Sequence, residues 1–324
     1  MPHGLFNEVF YLEEFPFPSG ISLRSMTFLL QLPKAFLASA NLLLRFKPDV
    51  CAGFGSYVSF PGIFLASLFR IPTLIHEQNL IPGKATRLLA SRVTSVAVSF
   101  EETLSGKLDG RTVTGLPLRS PLRESAKKRQ PGKREKFCVL VVGGSQGAQR
   151  LNGLFLEALE GLNSEEKKKI AVIHIAGTND YTRVGESYKK MEIESDVFPF
   201  HEKMQELYLR ADMAVTRAGA NTLFELSLFR LPAIVVPYPY AEAHQAANAA
   251  YFEFRQAIVF KNQDTLSAYD LRREILRLMN SPEDCERLSE NIAEIYSAEA
   301  EERLVDLAEN LIPKLRKTYA YCGF

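Results

Sequence analysis

The sequence has almost no surplus of charge: 39 lysines and arginines stand against 38 aspartates and glutamates, a formal +1 over 324 residues. Such a balance gives no global attraction to nucleic acid, so any basic function has to be local. Cysteine is scarce. Cys51, Cys138, Cys285 and Cys322 form no C-x-x-C pair and have no histidine near them in sequence, so they read as reduced packing residues of a cytosolic chain rather than as a zinc site. Also missing is a clean apolar run. The richest stretch, Ile21 to Phe46, is interrupted by Arg24, Pro33 and Lys34, short of the roughly 18 residues a membrane span requires. The opening MPHGLFNEVFYLEEF has no basic n-region and carries Glu8, Glu13 and Glu14, which is not the pattern of a signal peptide.

What is present is an ordinary globular composition, 46% hydrophobic and 24% charged, in a chain long enough for two domains. Short β-branched runs recur, each followed by a turn of small or polar residues and a helical pattern: DVCAG, PTLIH and TSVAVSF in the first third, then FCVLVVGG, KIAVIHIAG, DVFPF, DMAVTRAG, PAIVVPYP and QAIVF. That alternation predicts parallel sheets covered by helices. Between the two sets, SPLRESAKKRQPGKREK is polar and basic, holds two prolines and shows no apolar period; it reads as a linker. The expected organisation is therefore an N-terminal Rossmann-like domain over 1–119, a linker over 120–136, a C-terminal Rossmann-like domain over 137–300, and a helix over 301–324 that packs back across the domain junction.

The chemistry concentrates in the turns that follow strands. GGSQGA at 143–148 leads from a strand into a helix, where backbone amides and the helix N-terminus suit an anion. Its G-G-x-x-G spacing is not the G-x-G-x-x-G of a dinucleotide site, the next strand ends without an acidic residue for a ribose, and no GK[ST] follows. TRAGANTLFEL brings Arg217 to a strand end and Glu225 one turn into the next helix, a carboxylate suited to two vicinal hydroxyls. PYPYAEAHQAANA places His244, Gln245 and Asn248 at a helix start, with groups suited to sugar hydroxyls. In the first half, GFGSYVSFPG is a second small-residue turn, HEQN sets four polar residues after an apolar strand, and TGLPLR leaves Arg119 where a guanidinium could meet a base or a phosphate.

Taken in order, GFGSYVSFPG, HEQNLIPG, TGLPLR, GGSQGAQRLN, RAGANTLFEL and PYPYAEAHQAANA resemble the motifs of the MurG family, the peptidoglycan N-acetylglucosaminyltransferases that convert lipid I to lipid II. The resemblance covers roughly residues 9 to 310. It implies the GT-B fold, two Rossmann-like domains facing a cleft, with lipid I on the first and UDP-GlcNAc on the second. By position, it implies that Gly144, Ser145 and Gln146 bind the donor diphosphate, that Phe200, His201 and Met204 line the uracil pocket, and that Arg119 reaches the nucleotide. Ala220, Asn221, Thr222 and Glu225 would follow the nucleotide, with Glu225 on the ribose, while His244 and Gln245 hold the sugar and Asn79 touches it. Gly53, Gly55, Ser56 and Tyr57 would form the acceptor diphosphate loop. It further implies an inverting transfer to the muramyl 4-hydroxyl and a peripheral place on the cytoplasmic face of the bacterial plasma membrane. Lys34, Arg45, Lys47 and Arg70, beside apolar neighbours, would meet anionic headgroups there. No cofactor and no nucleic-acid partner is implied, and no D-x-D pair marks a metal site.

The sequence also departs from the family. The usual GGTGGH-type loop before VFYLEEFPFPSG has no counterpart, so the N-terminal domain is expected to lack at least one βα unit, of about 30 residues, through a late start assignment or truncation. Such a chain is expected to bind donor and turn over slowly. In place of the usual histidine, His76 and Glu77 are the pair placed to serve as base. Ser56 and Phe60 stand where glycines are usual, Leu116 for an asparagine, and His201 for an aliphatic residue. Competing readings are a catalytically impaired sugar-nucleotide binder and another GT-B enzyme, such as a glycolipid glycosyltransferase or a UDP-GlcNAc epimerase. A dehydrogenase is disfavoured by the glycine spacing.

Overall fold

A computed structural model describes residues 8–11, 23–103, 110–129, 135–143, 148–239 and 243–312, with 23–30 as backbone alone. The chain divides into two compact units. One comprises Met1–Gln78, Pro82–Thr114 and Glu301–Phe324; the other comprises Asn79–Ile81 and Gly115–Ala300.

The first unit runs α1 (Leu23–Phe46), β1 (Cys51–Gly53), α2 (Ser56–Leu68), β2 (Thr73–Glu77), α3 (Lys84–Leu89), β3 (Ser95–Val98) and β4 (Thr112–Val113). Its strands are all parallel and lie in sequence order. Every residue of β2 is buried, as a parallel strand covered on both faces requires. α1 buries Ala35, Ser39 and Leu43, a four-residue spacing that keeps one face of a helix inward. Phe36 of α1 meets Phe60 and Phe64 of α2 edge-on, at 6.4 and 5.9 Å, while those two stack at 5.6 Å. Phe60, where the family resemblance expects glycine, is thus part of the α1–α2 packing.

The second unit runs α4 (Ser120–Ala126), β5 (Phe137–Val142), α5 (Gln149–Glu160), α6 (Ser164–Lys169), β6 (Ile170–Ile175), α7 (Tyr181–Met191), β7 (Glu194–Phe198), α8 (Met204–Arg210), β8 (Met213–Thr216), α9 (Ala220–Leu228), β9 (Ala233–Val235), α10 (His244–Phe254), β10 (Val259–Phe260), α11 (Ala268–Asn280) and α12 (Pro282–Ala293). Its six strands are parallel in the order β7-β6-β5-β8-β9-β10. Numbered within the unit this is 3-2-1-4-5-6, the doubly wound order whose direction reverses between the first and fourth strands. Here that reversal lies between β5 and β8. The last helix, α13 (Ala300–Asn310), sets Leu304 against Leu74 and Ala97 of the first sheet.

Two differences from the sequence reading have physical causes. The stretch expected as a linker over 120–136 begins instead as α4, with Pro121 in its first turn and Leu122 buried, packed on α8 and α9. One buried residue in seven leaves no period to read, and Pro is compatible with a first turn. Arg129 then donates to the carbonyls of Arg230 and Ala211, at 3.0 and 3.4 Å, so this segment belongs to the second unit; residues 130–134 lie outside the described set. The division between units falls after Thr114, the first residue of TGLPLR, rather than after Arg119: Leu116 and Leu118 are buried and Gly115, at φ +82°, sits against Ser297 and Ala300.

Candidate functional site

In the second unit the strand ends at the β5/β8 reversal carry the expected turns. Gly143 closes β5, and a Cβ there would fall 2.7 Å from the Cβ of Ala148, the residue preceding α5. Only glycine allows that approach. Gly144, Ser145 and Gln146 lie outside the described residues. At the end of β8, Arg217 is buried and donates to the carbonyls of Val236 and Pro237 and to Gln263 Oε1, at 3.0, 3.3 and 2.6 Å. Its guanidinium lies 5.6 Å from the Tyr238 ring. Burial lowers its pKa. Arg217 therefore fastens the β8 end to the β9 end through neutral oxygens.

Ala220, Asn221 and Thr222 form the first turn of α9, which Gly219 precedes with no side-chain cap, so its amides are offered as an anion or hydroxyl site. Glu225, on the same helix, is partly buried and accepts the Tyr208 hydroxyl at 2.7 Å. Burial raises its pKa, against the pull of that hydrogen bond and of the Arg119 charge. Arg119 itself is exposed, immediately before α4.

At the start of α10, Gln245 Oε1 accepts the amides of Ala218 and Tyr238, at 3.2 and 2.9 Å. Both acceptor sites of that oxygen are used, and Nε2 is the donor left for a ligand. His244 Nδ1 donates to the Ile81 carbonyl at 2.8 Å, which fixes its tautomer. Asn248 is buried; its oxygen accepts the Leu80 amide at 2.9 Å and its nitrogen donates to Asn79 Oδ1 and Ala218 O, at 3.1 and 3.2 Å. Asn79, expected on the sugar, is thus tied to the same helix that carries Gln245. Phe200 is 65% exposed, Met204 opens α8, and the His201 ring lies 4.9 Å from Phe198 with Nε2 at 3.7 Å from Glu206.

In the first unit, Gly53 ends β1 and has no room for a Cβ, which would lie 2.8 Å from Ile63. Gly55 and Ser56 follow at φ +74° and +64°. That left-handed region costs a non-glycine residue about 1 kcal/mol, which accords with the glycine that the family resemblance leads one to expect at position 56. Ser59 Oγ donates to the carbonyls of Gly55 and Ser56, at 2.6 and 2.9 Å, and Tyr57 lies in the first turn of α2. His76 and Glu77 close β2 and are only 1% and 2% exposed. Glu77 Oε2 accepts the Gly83 amide at 3.0 Å, and Gln78 Nε2 lies 3.3 Å from His76 Nδ1 and donates to Phe54 O at 3.1 Å. The pair orders the turns at the ends of β1 and β2.

A polar network behind the β5 turn was not legible in the sequence. Asn152, in α5, donates to Ala176 O and Asp180 Oδ2, at 2.9 and 2.8 Å, and faces His174 Nε2 at 3.0 Å. Its amide nitrogen is committed, so Oδ1 accepts and His174 Nε2 carries the proton; His174 Nδ1 then accepts the Tyr188 hydroxyl at 2.7 Å. Arg183 grips Asp180 at 2.7 and 2.8 Å. The only available signal was three polar residues at buried positions of otherwise apolar elements. Among the described residues, no group of three or more His, Cys, Asp or Glu could hold a metal ion.

Residues 138–310 match the glycosyltransferase family 28 C-terminal domain and residues 6–98 its N-terminal domain. A UDP-N-acetylglucosamine–N-acetylmuramyl-(pentapeptide) pyrophosphoryl-undecaprenol N-acetylglucosamine transferase of Desulfotalea psychrophila is 39% identical over 88% of this chain and 77% of its own. The transferase of the same name from Carboxydothermus hydrogenoformans is 31% identical over 98% of this chain and 89% of its own. Among solved structures, Acinetobacter baumannii MurG matches with a TM-score of 0.69 and 29% identity, covering 87% of this chain and 78% of that one. A UDP-GlcNAc 2-epimerase from Neisseria meningitidis shares the fold at a TM-score of 0.65 and 14% identity, covering 90% and 83%.

Proposed function

The chain belongs to the MurG family of glycosyltransferases, and from that premise we infer that it transfers N-acetylglucosamine from UDP-GlcNAc to lipid I, forming lipid II for peptidoglycan. The fold is GT-B. The observation that carries the site assignment is the convergence of three turns at one reversal of the second sheet: Gly143 after β5, Arg217 to Gly219 after β8, and Tyr238 after β9, the last two joined by the Gln245 side chain. Ligands of open α/β sheets bind at such a point.

In this reading the diphosphate sits on the turn of Gly144, Ser145 and Gln146 at the start of α5, with the uracil against Phe200, His201 and Met204. The ribose meets Glu225, and the sugar meets Gln245 Nε2, His244 and Asn79. Backbone amides, two helix N-termini and the Arg119 charge stabilise the negative charge that grows on the departing UDP. Lipid I is held by the turn of Gly53, Gly55, Ser56 and Tyr57 at the start of α2. His76 and Glu77 are the candidates for taking the proton of its hydroxyl, and because they are 1% and 2% exposed turnover is expected to be slow. Inversion follows from direct displacement at the anomeric carbon. No helix among the described residues is long and apolar enough to cross a membrane; contact with an anionic membrane surface, peripheral and on the cytoplasmic side, is proposed for the exposed face of α1.

Transfer of label from UDP-[14C]GlcNAc to lipid I tests the reading. Glu77→Gln keeps an acceptor for the Gly83 amide while removing the charge, so a role in proton transfer predicts a kcat loss of about 100-fold with little change in KM. Full turnover by Glu77→Gln would remove Glu77 from the chemistry, and absence of label in lipid II from the unaltered chain would contradict the reaction.

A further inference from the structure

Glu225 is held by a residue that no motif contains. Tyr208, on α8, is fully buried, its ring lies 5.1 Å from that of Phe229, and its hydroxyl donates to Glu225 Oε2. Packing sets the ring and the 2.7 Å bond sets the hydroxyl. Burial holds the Tyr208 phenol well above its ordinary value of 10.0, so it stays a donor at any working pH. A glutamate on a helix ordinarily samples many rotamers, and ordering it costs free energy; here the donor orders it before a ligand arrives. Among the described residues Oε1 has no hydrogen-bond partner, which leaves lone pairs on both oxygens for further donors.

We propose that Tyr208 is the positioning residue of ribose recognition, fixing the Glu225 carboxylate so that it accepts both vicinal hydroxyls of a ribonucleoside diphosphate and discriminates against 2′-deoxyribose. The proposal rests on the assignment of Glu225 to the ribose. Its logic is that of a site built around a hydroxyl: a nucleotide lacking that group leaves a partly buried carboxylate short of a donor, and such sites reject the deficient ligand. A mobile carboxylate would relax toward solvent and lose the discrimination. Among the described residues, Arg119 and Tyr208 are the groups whose charge or hydrogen bond acts on Glu225, and of these Tyr208 bonds it.

The test is calorimetric titration of UDP and of 2′-deoxy-UDP into the full chain and into Tyr208→Phe, Glu225→Gln and the double variant. The unaltered chain is expected to prefer UDP by about tenfold or more, Glu225→Gln to reduce that preference to about twofold or less, and Tyr208→Phe to cut it at least about threefold. In the Glu225→Gln background, Tyr208→Phe should change nothing further, since the cycle isolates the pair. If Glu225→Gln keeps the full preference, the ribose assignment fails and the proposal with it. If Glu225→Gln loses the preference and Tyr208→Phe retains it, the proposal alone is overturned. Equal loss of UDP affinity on Tyr208→Phe in both backgrounds would mark a purely structural residue and also overturn it. Should Tyr208→Phe fail to fold, Glu225→Asp withdraws the carboxylate from the intact Tyr208 by one methylene; an unchanged preference in that variant overturns the proposal.

Discussion

His174 shows how far a single side chain can depart from its ordinary chemistry. Burial lowers its pKa from 6.5 to about 3, and both ring nitrogens are engaged by Asn152 and Tyr188. The unfolded chain therefore binds a proton between pH 6.5 and about 3 that the folded chain refuses, so stability from this group is full above pH 6.5 and falls as pH drops through that window. At ~1.4 kcal/mol per unit, the effect is large on the scale of a domain's stability. His174→Gln is expected to be less stable at pH 7 and to show a flatter decline between pH 6 and pH 4, read as urea midpoints across that range; a slope equal to that of the unaltered chain would contradict the buried neutral ring. The segments that carry Glu225, Gln245 and Asn79 were readable as candidates because each follows an apolar run that forms a strand. Tyr208 and Asn152 were not, because their meaning lies in partners 17 and 22 positions away, brought near only by the fold.

At the scale of elements, α1 carries two faces of different exposure. Ala35, Ser39 and Leu43 face inward, while Leu37, at 72% exposure, and Leu44, at 64%, lie outward among Lys34, Arg45 and Lys47. Apolar residues rimmed by cations on an exposed helix face suit an anionic lipid interface. Arg45 also lies 5.4 Å from the Phe46 ring and pairs with Glu8 at 3.3 Å. Co-flotation with vesicles containing anionic lipid should fall severalfold for Lys34→Glu combined with Arg45→Glu, since each juxtamembrane cation contributes about 1 kcal/mol; unchanged flotation would remove this face from membrane contact. Strands were legible as elements because β5, β6 and β8 bury nearly every residue and so read as continuous apolar runs. β4, two exposed residues long, and α4, anchored by Leu122, carry too little pattern to be seen. At Ser56 the sequence showed a departure from glycine, and the structure supplies its consequence, a left-handed backbone.

For the whole molecule, two parallel-sheet α/β units follow from the repeated alternation of apolar runs and turns, while the doubly wound order of the second, absent from the first unit's described strands, could not be read from that alternation because pairing across a reversal is a tertiary choice. That order matters, since it is what gathers the turns after β5, β8 and β9 at one place. UDP-GlcNAc is proposed to bind at this place in the second unit. Isothermal titration of the full chain with UDP-GlcNAc, UDP-glucose and NAD tests it most directly: saturable binding of UDP-GlcNAc, UDP-glucose weaker by about tenfold or more, and no heat from NAD are predicted, with Ser145→Ala weakening the UDP-GlcNAc interaction. Saturable binding of NAD, or no binding of either UDP-sugar, would contradict it.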